Sequence, residues 1–197
     1  MAEQLIISVG REYGSGGHLI AEMLSKKFNL PLYDRNLLEE IADSRNLDVK
    51  ELERYDELPK KRFLSRNVRG YSNSPEENIA NMQFEYIKDK AVSGESFVIV
   101  GRCAESVLKE YKGMVSIFVL ADRTCKIERI IKINNISEAE AETKMNRHDK
   151  NRRAYHNHYS TGKWGDTRNY DISINSSKLG IERTADLLEE YICERMK

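Results

Sequence analysis

The apolar positions of this chain alternate between two kinds of segment. Short unbroken runs, rich in Val and Ile, read as strands buried on both faces. Longer stretches, in which apolar residues return every three or four positions, read as helices with one apolar face. The strand-like runs are Leu5 to Val9, Pro31 to Asp34, Ser96 to Val100, Met114 to Ala121 and Tyr170 to Asn175. The helix-like stretches lie between them. Ile20, Leu24 and Phe28 recur at i, i+4 and i+8, flanked by Leu19 and Met23. Leu37, Leu38, Ile41 and Ala42 mark a second helix, and Ile79, Met82, Tyr86, Ile87 and Ala91 a third that stops at Gly94. Ala104 to Tyr111 is a short helix, and Ile181, Ala185, Leu188 and Ile192 define a closing one.

Helix starts are signalled by local chemistry. Asp48-x-x-Glu51 and Ser137-x-x-Glu140 have the form of capping boxes. Ser74-Pro75-Glu76-Glu77 combines a cap, a proline at the first helical position and acids in the first turn. Asp122 is placed to cap DRTCKIERIIKI. Strands that alternate with helices in this way predict an α/β fold with three layers, a five-stranded parallel sheet with helices on both faces. A chain of 197 residues suits a single domain spanning 1–197.

Composition narrows the function classes. Lys plus Arg and Asp plus Glu both number 32, so bulk charge points to neither nucleic acid nor a membrane surface. No apolar run is long enough to span a bilayer, and Met1 to Val9 lacks the features of a secretory leader. Cys103, Cys125 and Cys193 are odd in number and far apart, which suits reduced thiols in a cytoplasmic protein.

The chemistry concentrates after the first strand. Gly14, Ser15, Gly16 and Gly17 join that strand to the first helix. A turn of this kind exposes backbone amides at the positive end of a helix, and the missing Cβ atoms let phosphate oxygens approach. Neither familiar fingerprint fits fully. The P-loop pattern needs a Lys and a hydroxyl residue where this chain has Gly17 and Leu19. The dinucleotide pattern would put its third glycine at Leu19, although Asp34 lies at the right distance to meet a ribose. Arg102, just past the carboxyl end of the SFVIV strand, stands where open α/β sheets bind ligands, or else pairs with Glu105. Lys60, Lys61, Arg62, Arg66 and Arg69 form either a solvated face or an anion site.

Arg123, Arg129, Lys132, Arg147, His148, Lys150, Arg152 and Arg153 all fall between the fourth and fifth strands, on two helices. Lys144, His148 and Arg152 share one helix face. A helix pair of this kind can fold over a triphosphate, and Arg suits the task because its charged fork matches phosphate oxygens. His156 and His158 are badly spaced for a common metal, so no metal site is expected there.

The order of these segments resembles the cytidylate kinase-like family, a branch of the P-loop nucleoside monophosphate kinases. The residues that carry it are REYGSGG, YDRNLLEEIA, VIVGRCAESVL, IFVLAD, the run Asp149-x-x-Arg152-x-x-Tyr155-x-x-x-Tyr159, and YDISINSS. The resemblance covers almost the whole chain. It implies a kinase core with a helical acceptor-binding segment near 35–94 and a helical lid near 122–160. It implies ATP and Mg²⁺ as cofactors, with phosphoryl transfer to a pyrimidine nucleoside monophosphate such as CMP. Gly14, Ser15, Gly16, Gly17 and His18 would hold the donor phosphates. Asp34, Arg35 and Arg102 would serve the acceptor, and Arg129, Arg152 and Arg153 would act from the lid. Cys103 departs from the family pattern, which carries an acid after the Gly-Arg pair. Arg11 is the foremost substitute for the missing Lys, ahead of His18; its alternative is a salt bridge to Glu12 or another nearby acid. Partners are small nucleotides, with no nucleic acid and no membrane, and a homo-oligomer is left open. The competing expectations are a nucleotide-binding module without turnover and, further behind, a dinucleotide-binding domain.

Overall fold

In the computed structural model, the described residues are 4–34, 36–45, 47–56, 67–68, 71–72 and 74–197. Strand β1 (Ile6–Arg11) leads through the glycine turn to α1 (Gly17–Phe28) and β2 (Leu32–Tyr33). Helices α2 (Asn36–Arg45) and α3 (Val49–Glu53) follow, then a small antiparallel pair, β3 (Asn67–Val68) and β4 (Tyr71–Ser72). After α4 (Pro75–Val92) come β5 (Phe97–Val100), α5 (Ala104–Val107) and β6 (Met114–Leu120). The long pair α6 (Arg123–Asn134) and α7 (Glu138–Tyr159) precedes a 3₁₀ turn at Thr167–Asn169, β7 (Ile172–Asn175) and α8 (Ser176–Arg195).

The main sheet is parallel throughout, in the order β2-β5-β1-β6-β7. Alternation along each strand sorts the side chains between its faces. Ile7, Val9, Val98, Val100, Val115, Ile117 and Val119 pack against Ile20, Ala21 and Leu24 of α1 and Ala185, Leu188 and Ile192 of α8. On the other face Ile6, Phe97 and Ile99 meet Leu37, Leu38 and Ile41 of α2, with Ile79, Ile87 and Ala91 of α4. Met82 and Tyr86 pack at the margin of this core. The expected three layers and five strands are therefore present.

Helices α6 and α7 stand apart, with a small core of their own in Ile127, Ile130, Ala141 and Met145. Tyr13, from the glycine turn, packs against this core. Ser137 and Glu140 form the complete reciprocal box at the head of α7. Asp48 caps α3 by accepting from the Lys50 amide. Two caps differ from the sequence expectation because a better partner is near. Ser74 donates to Glu76 Oε2 at 2.6 Å. Asp122 takes Asn175 Nδ2 and Lys178 Nζ at 2.8 and 2.6 Å, tying α6 to the start of α8.

The chain leaves β1 toward β2 on one side and leaves β5 toward β6 on the other. The carboxyl ends of these adjacent strands thus bound the crevice where open α/β sheets place their ligands.

Candidate active site

At the end of β1 the chain makes the turn that the glycines permit. Gly14 and Gly16 have φ of 80° and 81°, in the left-handed region that residues with a Cβ rarely enter. The first turn of α1 contains no acid, and of its leading amides the Gly17 N–H donates to Ser15 Oγ at 3.3 Å. Side chains from distant elements hold the turn from outside. Lys126 of α6 lies 3.0 Å from Glu12 and 3.3 Å from Asp149, and Asp149 accepts from the Tyr13 amide at 2.7 Å. Arg129 donates to the Gly14 carbonyl, and Ser176 Oγ donates to the Ser15 carbonyl at 2.6 Å. The Tyr13 ring stacks on His148 at 4.2 Å.

Gly17, where the P-loop pattern leads one to expect a Lys, opens α1. A Cβ there would lie 2.6 Å from Arg11 Cβ and 3.3 Å from Arg11 Cγ. The stem of Arg11 therefore fills the space that a side chain at 17 would need. Glu12, the acid next to Arg11 in sequence, pairs with Lys126. The charge of Arg11 is felt instead at His18 and Asp34, which it pushes toward lower pKa.

His18 and Asp34 face each other across the start of α1 and the end of β2. His18 Nδ1 lies 3.0 Å from Asp34 Oδ2, and His18 Nε2 lies 2.9 Å from Glu22. The hydrogen bond to Asp34 raises the pKa of His18 above its ordinary value, against burial and Arg11. Burial opposes charge on Asp34, but the His18 bond, with Arg11, His18 and Arg102 nearby, outweighs it and holds the carboxyl below its usual range. His18 thus already has two acids to answer. Arg35 lies outside the described residues, as does the Lys60 to Arg69 basic stretch except for 67–68.

After β5 the backbone makes a second left-handed turn. Gly101, Arg102 and Cys103 have φ of 76°, 57° and 51°. Such a conformation costs about 1 kcal/mol or more per non-glycine residue, and it persists where the surroundings over-determine it. Here it turns Arg102 inward. Arg102 is 2% exposed and donates to Asp56 at 2.9 Å; Asp56 also accepts from Gln83 at 3.0 Å. The alternative partner, Glu105, is engaged elsewhere: its Oε1 lies 2.6 Å from His156 Nε2.

Arg11, Arg102, Arg152, Glu105 and His156 line one narrow cleft at the ends of β1 and β5. Its volume is about 20 Å³, room for about one water, so a substrate must part α7 from the strand ends to enter. Arg152 Nη1 reaches the Arg11 carbonyl at 3.5 Å, and its guanidinium lies 5.6 Å from the Tyr13 ring centre. Arg153 points elsewhere, over Trp164 at 5.4 Å. A larger cavity of about 380 Å³ opens at Lys109, Lys112, Met114 and Arg195. It sits toward the amino ends of β6 and β7, away from the glycine turn, and shares Glu105 and Tyr170 with the cleft.

Arg11, Arg102 and Arg152 come together here, with Asp34 and His18 beside them. Arg129 braces the turn from behind, and Arg153 stays outside the cleft. Sequence reasoning missed Lys126 and assigned Glu105 and His156 other roles. The spacing of Asp149, Arg152 and His156 at i, i+3 and i+7 was a usable signal, since it puts all three on one face of α7.

The fold is that of P-loop kinases of the shikimate kinase and nucleoside monophosphate kinase type. A profile of the cytidylate kinase-like family matches residues 6–178, and the chain belongs to that family. A crystal structure of an uncharacterized protein from Eubacterium ventriosum is similar, with 37% identity and a TM-score of 0.77 over 96% of this chain and 98% of that one. Shikimate kinase from Bacteroides thetaiotaomicron shares the fold at 13% identity, TM-score 0.56, over 95% and 98% of the two chains. Shikimate kinase from Acinetobacter baumannii, solved with shikimate, does so at 11% identity, TM-score 0.56, over 98% and 95%. A search of curated proteins found no match. Family and fold together support a nucleotide-dependent phosphotransferase. Among the described residues no helix is long and apolar enough to cross a membrane.

Proposed function

We propose that the protein transfers the γ-phosphoryl group of ATP to a small acceptor, a pyrimidine nucleoside monophosphate such as CMP being the one its family indicates. The observation that carries this reading is the exchange of Gly17 for side-chain volume supplied by Arg11. A cation is retained beside the phosphate turn although the usual Lys is gone. In phosphoryl transfer the protein mainly positions groups and stabilises charge, so a cation from a different residue can serve.

On this reading Gly14 to His18 cradle the donor phosphates with the amides of the α1 terminus, and Arg11 lies over them. Arg129 keeps the turn in shape. Arg152 moves with α7 onto the group in transfer, and Arg153 follows only if the lid rotates. Arg102 exchanges Asp56 for an anionic group of the acceptor. Asp34, ionised and close to Arg11 and Arg102, orients the acceptor, with Arg35 next to it in sequence. The segments near 35–94 and 122–160 are then the acceptor-binding part and the lid of one kinase domain. Mg²⁺ neutralises the donor phosphates when bound. Leu19 stands in place of the P-loop hydroxyl that would otherwise reach it. Cys103, Cys125 and Cys193 form no disulfide among the described residues, in keeping with a cytoplasmic enzyme.

The test is product analysis after incubation with ATP, Mg²⁺ and CMP, dCMP, UMP or AMP, resolved by chromatography. A diphosphate formed from one acceptor supports the assignment and names that acceptor. Unconsumed acceptors, together with a melting temperature that ATP still raises, would leave binding without transfer and overturn it.

A further inference from the structure

The lid helix α7 runs from the donor side of the site to the acceptor side. Asp149 holds the phosphate turn, Arg152 reaches the Arg11 carbonyl, and Tyr159 packs edge-on against Phe84 of α4. At 1.5 Å per residue, His156 lies roughly 10 Å beyond Asp149. It therefore stands between the two sides, where a group in transfer would pass.

His156 Nε2 lies 2.6 Å from Glu105 Oε1, and the two side chains are 6% and 5% exposed. An ionised carboxylate only accepts, so this contact assigns the proton to Nε2. The other nitrogen, Nδ1, is buried and has no hydrogen-bond partner among the described residues. Both residues line the cleft with Arg11, Arg102 and Arg152. A tie whose only purpose was to join α7 to α5 would leave Nδ1 buried and unmatched, which native interiors avoid. A carboxylate that fixes the imidazole tautomer and leaves the other nitrogen unprotonated, on a residue that lines a cleft, is an arrangement for taking up a proton.

We propose that Glu105 and His156 form a dyad that receives the proton of the acceptor's attacking oxygen. The inference rests on the phosphotransferase reading and adds to it the acceptor's chemistry: its receiving oxygen carries a proton, as a hydroxyl or a phosphate monoanion does. The acceptor oxygen forms its bond to the γ-phosphorus as the bond from that phosphorus to the β,γ-bridging oxygen breaks. The bridging oxygen keeps the electron pair and departs with ADP. The acceptor's proton passes to His156 Nδ1, and the Glu105 carboxylate balances the imidazolium until the proton returns to solvent.

Two measurements test this. Long-range proton–nitrogen NMR on the ¹⁵N-histidine-labelled protein reads the His156 tautomer without any acceptor. The Nε2–H form is expected; the Nδ1–H form overturns the dyad whether or not transfer is ever seen. Transfer is then compared for cytidine and CMP in wild type, His156→Asn and Glu105→Gln, with ATP binding as the check on folding. His156→Asn should lower kcat about 100-fold or more on the true acceptor, with KM within about threefold. Glu105→Gln, a positioning change, should lower kcat less and redistribute the tautomers. A loss confined to cytidine identifies a hydroxyl, and a loss on CMP that fades as its phosphate becomes a dianion identifies the monoanion. A kcat within about threefold of wild type in His156→Asn overturns the proposal. Wild type that binds ATP but phosphorylates neither compound counts against the acceptors named above, and the tautomer still decides the dyad.

Discussion

On the proposed function the cleft has a donor end and an acceptor end, and the two are held in different ways. At the donor end, side chains grip backbone. Asp149 takes the Tyr13 amide, and Arg129 and Ser176 give to the Gly14 and Ser15 carbonyls. At the acceptor end, side chains grip one another, Arg102 with Asp56 and Glu105 with His156, and Asp34 reaches across to His18 of the donor turn. A backbone grip fixes the shape of a loop and cannot be traded for a ligand without losing that shape. A pair of side chains can exchange one partner for a ligand group of the same charge. The difference suits a donor site with one fixed phosphate shape and an acceptor site that rearranges on binding.

Arg11→Ala should have the largest effect, because it removes the cation at the donor end and leaves a gap beside Gly17. Transfer should fall about 10²- to 10³-fold in steady-state assays, the cost of one electrostatic donor. Unchanged turnover would sink the role given to Arg11. The paired variant Arg11→Gly with Gly17→Lys should recover part of that loss, since removing the Arg11 Cβ as well as the rest of its stem admits the usual Lys. A double variant no better than Arg11→Gly alone would break the exchange argument.

Lys126→Met strips the shared cation from Glu12 and Asp149. Urea unfolding should show a loss of about 3 kcal/mol, since both acids are left partly buried without it. ATP affinity should drop with it, while the acceptor end stays intact. Gly17→Ala alone brings a Cβ to 2.6 Å from that of Arg11 and should cost about 1–3 kcal/mol through forced displacement. A melting temperature equal to wild type would mean that Arg11 moves freely.

Arg102→Lys keeps the charge but loses the planar fork. Acceptor KM should rise about tenfold, roughly 1.4 kcal/mol, with kcat changing less. The smallest effect is expected at the His18–Asp34 pair, where His18 is half exposed. His18 is raised, so its contribution is full below its ordinary 6.5 and fades as pH climbs through the folded value. Asp34 is lowered, so its contribution is full above its ordinary 3.8 and fades as pH falls through the folded value. The difference in melting temperature between wild type and His18→Ala should therefore be greatest between these two limits and shrink at alkaline pH. A flat difference across that range would remove the ion pair from the account.

The pattern of apolar positions was enough for the sheet and its covering helices. Strand runs such as SFVIV and MVSIFVLA have no other way to bury both faces, and Gly14 to Gly17 announce a turn that only small residues can make. The caps were legible only in part. Asp122 has the right identity for a helix start, yet Asn175 and Lys178 arrive from 53 and 56 residues away and claim its carboxylate.

The sequence by itself determined the main sheet, its covering helices and the glycine turn, because period, glycine content and the β-to-α order are local properties that folding keeps. It did not determine the small β3–β4 pair. It also marked Arg11, Arg102 and Arg152 by type and by their place at strand ends or on the lid. Which of the basic residues meet was left to the tertiary structure. Crossing connections bring β5 beside β1 and lay α7 over both, so that Arg152 and His156 join Arg11, Arg102 and Glu105 while Arg153, next in the chain to Arg152, turns to Trp164. Helical rotation separates adjacent residues by about 100°, and packing alone decides which of them faces the cleft.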